Sequence, residues 1–412
     1  MDRNVRWLGF GGVVRASGVS LVLPFLVLYL RNVLRLGYAE IGILVALTGV
    51  LPLVIVPFAG MVVDRVGRRR VFLLALVAEA ASILGLAPAM HARALVEILA
   101  LATLLQVVGT VAGPALSAYI ADFTEGSERT TGFTWVRIGW NVGFTIGVLA
   151  GGALIGFIGF ESVALLAGAL LLISTALLTV VLDPSPYDLR GATATSGASP
   201  VGVRPTSVRA SLALLARDRA FLAVCGGFAL ADLTLGQWAT IFPLYVNTVL
   251  GIPYAILGAG FALNGLVVVF GQAPMTRAAL GHRHSSLLLG GIAAYAVGFV
   301  LFGLVGEFSF FLVPAFFAVV FVLTIGENLT SIPASTLPSN LAPPSEVGAY
   351  NGVFFAIIGV GQLLSPALGG AIVATGAAPW LVWTALVVPC APAAAILALY
   401  AAPRLPARAN RA

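Results

Sequence analysis

The sequence predicts an all-α integral membrane protein with twelve transmembrane helices, arranged as two pseudo-symmetric bundles of six, with both termini in the cytoplasm. Three observations lead to this fold class. The first is composition, since 60% of the 412 residues are hydrophobic and only 9% are charged, whereas a soluble domain carries about 25% charged residues. The second is a regular series of long apolar segments. The third is the position of the arginines.

The apolar segments are long enough to cross a bilayer, which takes about 20 residues of helix. Six of them precede a polar stretch and six follow it. The predicted spans cover approximately 7–30, 41–63, 70–88, 94–121, 132–155, 160–182, 221–247, 253–276, 285–305, 308–332, 347–374 and 378–401. The sequence therefore predicts an N-terminal bundle over 1–182 and a C-terminal bundle over 220–412. Residues 183–219, rich in Pro, Ser, Thr and Arg, are expected to form a flexible cytoplasmic linker.

The arginines set the predicted orientation. All 22 basic residues are arginine, and 17 of them fall in segments that are cytoplasmic if the N-terminus is inside. Cytoplasmic loops of membrane proteins carry such an excess of basic residues. This rule also explains the net charge of +6 without a nucleic-acid partner. We expect a multi-pass protein of a prokaryotic plasma membrane, and a monomer, because one chain carries both bundles.

The two halves of the chain repeat each other. An offset of 216 residues pairs Tyr29 with Tyr245 and Gly42 with Gly258, and an offset of 218 pairs Gly152 with Gly370. Repeats related by an axis along the membrane normal are a known architecture of secondary transporters. The repeat predicts two six-helix halves of similar structure.

The loop between spans two and three carries a motif. It reads Gly60-Met-Val-Val-Asp64-Arg65-Val-Gly67-Arg68-Arg-Arg and resembles the loop signature of the major facilitator superfamily. The resemblance implies a transporter in which this cluster latches the two halves in one conformation. Gly67 would permit the turn, and Asp64 would accept from neighbouring arginines and helix N-terminal amides. The alternative is a basic cytoplasmic loop with a turn glycine.

Span five resembles a second family motif, the antiporter signature of drug-exporting members. The resemblance rests on glycines at positions 143, 147, 151 and 152. Val148 stands where that signature has proline, while span eleven keeps a proline at Pro366. The alternative is close helix packing through small residues.

Four charged residues are placed well inside predicted spans, where a charge costs about 2.5–3.5 kcal/mol. In the family that the sequence resembles, spans one, four, seven and ten line the transport cavity. Asp232 in span seven and Glu327 in span ten are therefore predicted to bind protons and substrate, as intramembrane acids often do. Arg15 in span one is predicted to lie across from them and share this role. Alternatively, it forms a permanent salt bridge with one of these acids and only holds the two halves together. Glu79 is predicted to be structural.

Further polar residues are weaker predictions. Cavity contacts are predicted for Gln237, Trp238, Asn264 and Asn328, with helix packing as the alternative for each. The chain has three histidines and no lysine. No nucleotide-binding loop of the kind that needs lysine is present, and the histidines lack the companion ligands of a metal site. We therefore expect no metal, no cofactor and no enzymatic activity.

These observations predict a secondary active transporter that works by alternating access. The first choice is proton-coupled export of lipophilic or cationic small molecules. The alternative is proton-coupled uptake or exchange of a metabolite such as a sugar or an organic anion, which Arg15 would bind. A lipid scramblase or a membrane-embedded enzyme is a third and weaker alternative. The expected partners are a small-molecule substrate, protons and the lipid bilayer.

Overall fold

The structure is a computed structural model that describes residues 1–189, 218–307, 309–343 and 346–410. Apart from turns and short 3-10 and π segments, these residues are α-helical, which confirms the predicted all-α fold. The cytoplasmic position of both termini remains a prediction. The helices are α1 Arg3–Asn32, α2 Tyr38–Val66, α3 Arg68–His91, α4 Leu95–Asp122, α5 Gly126–Val181, α6 Pro186–Leu189, α7 Arg219–Leu235, α8 Ile241–Thr248, α9 Tyr254–Ala279, α10 His284–Leu304, α11 Leu312–Leu341, α12 Val347–Ala374, α13 Pro379–Val387 and α14 Cys390–Ala395.

Helix α5 contains two of the predicted spans. It has 56 residues, which at about 1.5 Å per residue exceeds twice the hydrocarbon thickness of about 30 Å. Gly159 interrupts the helix with φ 78° and ψ 169°, a conformation that glycine adopts readily. Eleven stretches of the described chain are long and apolar enough to span a membrane, and the kink in α5 divides one of them. This agrees with the twelve predicted spans.

By their internal contacts the residues divide into two units, each described separately. The first comprises Met1–Leu36, Leu47–Gly197 and Pro243–Leu266, and the second comprises Gly37–Ala46, Ala198–Phe242 and Val267–Ala412. Each unit thus includes a short segment from the opposite half of the sequence. The predicted boundaries at 1–182 and 220–412 remain a prediction.

In each unit, the short segment from the opposite half of the sequence packs closely against the rest of the unit at a glycine. The two glycines occupy equivalent positions of the internal repeat. In the first unit, a Cβ atom added at Gly258 would lie 2.5 Å from the carbonyl oxygen of Val148. In the second unit, a Cβ atom at Gly42 would collide with the carbonyl oxygen of Pro366. The two contacts correspond, because the offsets of 216 and 218 pair Gly42 with Gly258 and Val148 with Pro366. Backbones this close explain glycine at both positions.

The glycines of the antiporter-like motif also serve packing. A Cβ atom at Gly151 would lie 2.6 Å from the carbonyl oxygen of Leu21 in α1. Gly143 and Gly147 approach the backbone of α1 in the same way, at Val13 and Ser17. The motif therefore brings α5 and α1 into direct backbone contact, as the packing interpretation expects.

Residues 183–189, the start of the predicted linker, are bound to the first unit. Arg3 donates to both carboxylate oxygens of Asp183 at 2.7 and 2.8 Å. The hydroxyl of Tyr119 donates to the Asp183 carbonyl oxygen at 2.7 Å, and Ser185 donates to the Asp122 carboxylate. The chain after span six is thus fastened to the ends of α1 and α4. Residues 190–217 of the linker lie outside the described residues.

Candidate functional site

Span seven is interrupted beside its acidic residue. Helix α7 ends at Leu235, a 3-10 turn covers Gly236–Ala239, and α8 continues from Ile241. The carbonyl oxygen of Leu233 accepts from Ser365 Oγ at 3.0 Å and from Gln237 Nε2 at 2.8 Å. Side chains thus satisfy a backbone oxygen at the break. Discontinuous membrane helices often mark substrate and ion sites in transporters.

Asp232 lies in the last turn of α7 and is only 7% exposed. Its carboxylate accepts one long hydrogen bond, from Gln362 Nε2 in α12 at 3.4 Å. Within the described part of the chain, Asp232 forms no ion pair. The site therefore holds a buried carboxylate whose charge one distant amide donor balances only weakly.

The second predicted acid shares its surroundings. Glu327 is half-buried in α11. Tyr295 in α10 is buried and lies within electrostatic range of both Glu327 and Asp232. Its ring packs against the backbone before Glu327, since a Cβ atom at Gly326 would lie 2.9 Å from Tyr295 Cδ2. Three helices of the second unit thus bring the two predicted acids to one tyrosine.

Arg15 has a different partner from the one that the sequence suggested. Its Nε donates to Glu79 Oε2 at 2.6 Å and its Nη2 donates to Glu79 Oε1. The guanidinium also lies 5.3 Å from the ring centroid of Trp140. Both charged side chains are buried in the first unit, with 10% and 3% of the side chain exposed. The salt-bridge alternative paired Arg15 with one of the facing acids, Asp232 or Glu327, whereas the pair with Glu79 lies within the first unit. The predicted roles of Arg15 and Glu79 remain predictions.

Two of the weaker predictions fall on packing contacts of the second unit. Gln237 is fully buried, and its Nε2 donates to the Ser365 carbonyl oxygen at 2.8 Å. Trp238 is half-buried and stacks on Phe242 with ring centroids 4.6 Å apart. These geometries support the helix-packing alternative for both residues.

The two predicted asparagines are both buried. Asn264 lies in α9, within the first unit, and is 7% exposed. Asn328 is 2% exposed, and its Nδ2 has no hydrogen-bond partner among the described residues. That amide nitrogen lies 3.5 Å from a Cβ atom added at Gly271 in α9. A buried donor without a partner calls for an unseen acceptor, so Asn328 is the better cavity contact of the two.

The loop motif begins α3, but Asp64 does not have the expected contacts. Gly67 precedes the helix with φ 104°. The amide nitrogen of Arg68 donates to Asp188 Oδ1 at 2.9 Å, and the next amide donates to Asp188 Oδ2 at 3.2 Å. Arg68 Nη1 donates to the Asp122 carboxylate. The acceptors in place of Asp64 are thus Asp188, which receives the first amides of α3, and Asp122, which receives the Arg68 side chain.

The motif residues Gly60, Asp64 and Arg65 make few contacts with the rest of the described chain. Asp64 and Arg65 are exposed, and no described residue lies within 4 Å of a Cβ atom added at Gly60. Nothing in the described residues binds the Asp64 carboxylate. The latch role of Gly60, Asp64, Arg65, Gly67 and Arg68 therefore remains a prediction.

The second unit contains the counterpart of the Asp188 cap. The amide nitrogen of Ser285, in the first turn of α10, donates to Asn410 Oδ1 at 2.9 Å. The Asn410 amide donates back to Ser285 Oγ at 3.1 Å, and the His284 amide nitrogen donates to the Asn410 carbonyl oxygen at 2.9 Å. In each repeat, the segment after the sixth span caps the third. The internal repeat was the sequence signal that could have revealed this pair.

Eleven stretches of the described chain that are long enough to span a membrane, one of them divided by a kink, and a buried acid beside a broken helix define the class of protein as a polytopic membrane transporter. The sequence model of the Major Facilitator Superfamily matches residues 8–306. The chain therefore belongs to the Major Facilitator Superfamily, as the loop motif predicted. Transporters of this family are not enzymes, and the protein is a multi-pass membrane protein consistent with a bacterial plasma membrane.

Relatives in sequence include two resistance proteins. The chain is 26% identical over 394 residues to the multidrug resistance protein MdtH of Aeromonas hydrophila, covering 92% of this chain and 91% of that one. It is 26% identical over 395 residues to the class C tetracycline resistance protein of Escherichia coli, covering 92% and 93%. Both alignments extend over nearly the whole transporter.

Solved structures share the fold. The nucleoside transporter NupG superposes with a TM-score of 0.74 at 16% identity, covering 97% of this chain and 99% of that one. A POT family transporter in complex with 5-aminolevulinic acid superposes with a TM-score of 0.75 at 14% identity, covering 97% and 95%. At this level of identity the likeness establishes the fold alone.

Proposed function

We propose that this transporter exports lipophilic or cationic small molecules by alternating access, in exchange for protons. The observation that carries the proposal is the Asp232 carboxylate, which is buried at the break in span seven and forms no ion pair with any described residue. Glu327 and Tyr295 lie in the same surroundings. Asp232 and Glu327 are the proposed proton and substrate groups.

The chemistry follows from the cost of an isolated charge inside a membrane protein. Binding a proton removes that cost, and so does binding a cation. A cationic substrate and a proton would therefore compete for the same carboxylate. In the exchange, the arriving cation takes the place of the proton, which leaves to water. Asn328, whose amide donor has no described partner, would donate to a substrate acceptor or to an ordered water.

The sequence relatives support export over uptake. The relatives named above are described as multidrug and tetracycline resistance proteins. The alternative of organic-anion uptake requires a guanidinium available to the anion, whereas Arg15 already donates from Nε and Nη2 to Glu79. We therefore place Arg15 in the proposal as the partner of Glu79, which holds α1 to α3. Its predicted role in proton coupling stays a prediction.

The loop motif completes the proposal. We keep the predicted latch over Gly60, Asp64, Arg65, Gly67 and Arg68 as its conformational element. The contacts of Arg68 with Asp122 and Asp188 would anchor the latch to the end of α4 and to the segment after span six. Asp64, exposed in this structure, would be the residue whose contacts change during transport.

The experiment measures proton release from detergent-purified protein in weakly buffered solution. The probe is tetraphenylphosphonium, a lipophilic cation, and wild type is compared with Asp232→Asn and Glu327→Gln. Glu97→Gln is the matched control, because Glu97 is an exposed acid in the first turn of α4. Binding of the cation is measured in parallel by equilibrium dialysis.

We expect proton release on cation binding in wild type and in Glu97→Gln, and none in Asp232→Asn. Glu327→Gln is expected to release fewer protons or to bind the cation more weakly. Cation binding by wild type without proton release would overturn proton exchange. Release that persists in both Asp232→Asn and Glu327→Gln would overturn the assignment of these two carboxylates.

A further inference from the structure

The second unit contains an apolar groove that the transport site does not use. It lies between α10 and the twelfth span and has a volume of about 400 Å³, within the range of about 300–1,000 Å³ for ligand pockets. Alanines from both sides, Ala293 and Ala296 on α10 and Ala391 and Ala394 on the twelfth span, line it. Larger apolar side chains complete the walls, and Thr384 adds a hydroxyl at one side.

A break in the twelfth span accompanies the groove. Helix α13 ends at Val387 and α14 begins at Cys390. Pro389 has no N–H to donate, and a proline ring inside a helix crowds the preceding turn. The Ala385 carbonyl oxygen, to which an N–H at position 389 would donate, accepts from the Val388 amide nitrogen at 3.2 Å. The next carbonyl oxygen, that of Leu386, accepts from Thr234 Oγ1 at 2.7 Å. The break is thus stabilised by α7, and the groove lies directly beside it.

A basic cluster lies at one end of the two helices that form the groove. Arg283 immediately precedes α10, and Arg404 and Arg408 follow the twelfth span. All three arginines are exposed. The hydrogen bonds between Asn410 and Ser285 hold the chain after the twelfth span against the first turn of α10. Leu289, the groove residue nearest in sequence to Arg283, follows it by about 9 Å of helix.

We propose that this groove binds an anionic phospholipid of the membrane. One acyl chain occupies the groove, and the phosphate lies at Arg283, Arg404 and Arg408. The lining matches hydrocarbon, because it is almost entirely apolar and belongs to helices that span the bilayer. The arginines match the negative phosphate, and basic pockets beside membrane helices are recognised lipid-headgroup sites. The site is separate from Asp232 and does not depend on the proposed transport reaction.

The test measures lipid binding to the delipidated full-length protein in detergent by native mass spectrometry. The probes are phosphatidylglycerol and phosphatidylcholine with identical acyl chains, so that only the headgroup charge differs. Arg283→Gln with Arg404→Gln removes two of the three proposed phosphate contacts. The control for lost charge is Arg277→Gln with Arg6→Gln, which removes two other exposed arginines.

A second pair of variants tests the groove. Ala391→Leu and Ala293→Phe fill it, whereas Val297→Phe adds bulk at an exposed position of α10 outside the lining. Each variant is first checked for a monodisperse elution profile and an unchanged melting temperature. If Ala293→Phe does not fold, Ala391→Val fills the groove with a smaller change.

We expect wild type to bind phosphatidylglycerol at least about tenfold more tightly than phosphatidylcholine. Arg283→Gln with Arg404→Gln is expected to reduce this preference strongly, and the groove-filling variants are expected to weaken the binding of both lipids. The control variants should behave like wild type. Equal binding of the two lipids by wild type would overturn the phosphate contact, and unchanged binding by folded groove-filling variants would overturn the acyl-chain site.

Discussion

The two repeats place polar side chains at matching or adjacent positions of their first and third spans but differ in how the charge is balanced. The offset of 216 pairs Glu79 with Tyr295, and it pairs Arg15 with Ala231, one residue before Asp232. In the first repeat the two positions hold a buried ion pair with two charge-assisted hydrogen bonds. In the second they hold a carboxylate near a neutral phenol.

This difference in charge balance suits the first site to a structural role and the second site to binding a proton or a cation. An ion pair is neutral as a whole, so it needs no further ligand and fixes two helices to each other. A carboxylate beside neutral groups has a charge that a proton or a cation can balance. The corresponding parts of the first and third spans therefore hold a structural ion pair in the first repeat and, in our proposal, the exchange site in the second.

The caps of the third spans show the same contrast. Asp188, a carboxylate, accepts from the first amides of α3 in the first repeat. Asn410, a neutral amide, does this for α10 in the second. A negative group at a helix N-terminus also interacts favourably with the helix dipole, so the first cap is expected to be the stronger.

The largest predicted effect comes from breaking the ion pair of the first repeat. Arg15→Met leaves Glu79 buried without its partner, and we expect a loss of about 3–5 kcal/mol in the free energy of unfolding. The double variant Arg15→Met with Glu79→Leu leaves no buried charge and should recover most of this loss. Chemical unfolding in detergent, followed by tryptophan fluorescence, measures both. An Arg15→Met variant as stable as wild type would contradict a stabilising role for the ion pair between Arg15 and Glu79.

The pairing of Arg15 also shows how far sequence reasoning extends. The spans, the repeat and the loop motif were predictable, because hydropathy, glycine spacing and the motif are local in sequence. The partner of Arg15 was not, because Glu79 lies 64 residues away and several acids were equally eligible. Asp188 was missed because a polar, proline-rich segment resembles a flexible linker. Tyr295 was missed because a single tyrosine in an apolar span has no signature of its own.

The helix caps provide an intermediate effect. Asp188→Ala removes the acceptor for two amides of α3, and we expect a loss of about 1–2 kcal/mol in the free energy of unfolding. Asn410→Ala should lose about 0.5–1 kcal/mol, because its amide carries no charge. Thermal unfolding of the two variants in the same detergent compares them. An Asn410→Ala variant less stable than Asp188→Ala would reverse the proposed order of the caps.

Removing the acid of the second repeat is predicted to change stability little. Asp232→Asn replaces a buried carboxylate that forms no ion pair with the described residues by a neutral amide of similar shape. We expect the free energy of unfolding to change by less than about 1 kcal/mol. Glu79→Gln, the matched change in the first repeat, should be clearly destabilising because it leaves Arg15 unpaired. The same chemical unfolding measures both variants. Similar losses in the free energy of unfolding for Asp232→Asn and Glu79→Gln would contradict the proposed difference in charge balance between the two repeats.

The smallest predicted effect concerns the exposed ion pair between Arg3 and Asp183 in the first unit. Hydrogen bonds from Asn4 and Arg3 hold the pKa of Asp183 below its ordinary value. A lowered pKa in the folded state means that this carboxylate stabilises the fold above its unfolded pKa of about 3.9. That contribution is lost as the pH falls through the lower folded value.

Melting temperatures of wild type and Asp183→Asn between pH 3 and pH 7 test this contribution. We expect wild type to be slightly more stable at neutral pH and the difference to shrink below about pH 4. Because the pair is exposed, high salt should also reduce the difference. Arg3→Gln is the companion variant and should show the same trend with pH. A difference that stays constant from pH 7 to pH 3 would exclude the charge of the Asp183 carboxylate as its source, because the backbone contacts of residue 183 with Asn4 and Tyr119 are the same in both variants.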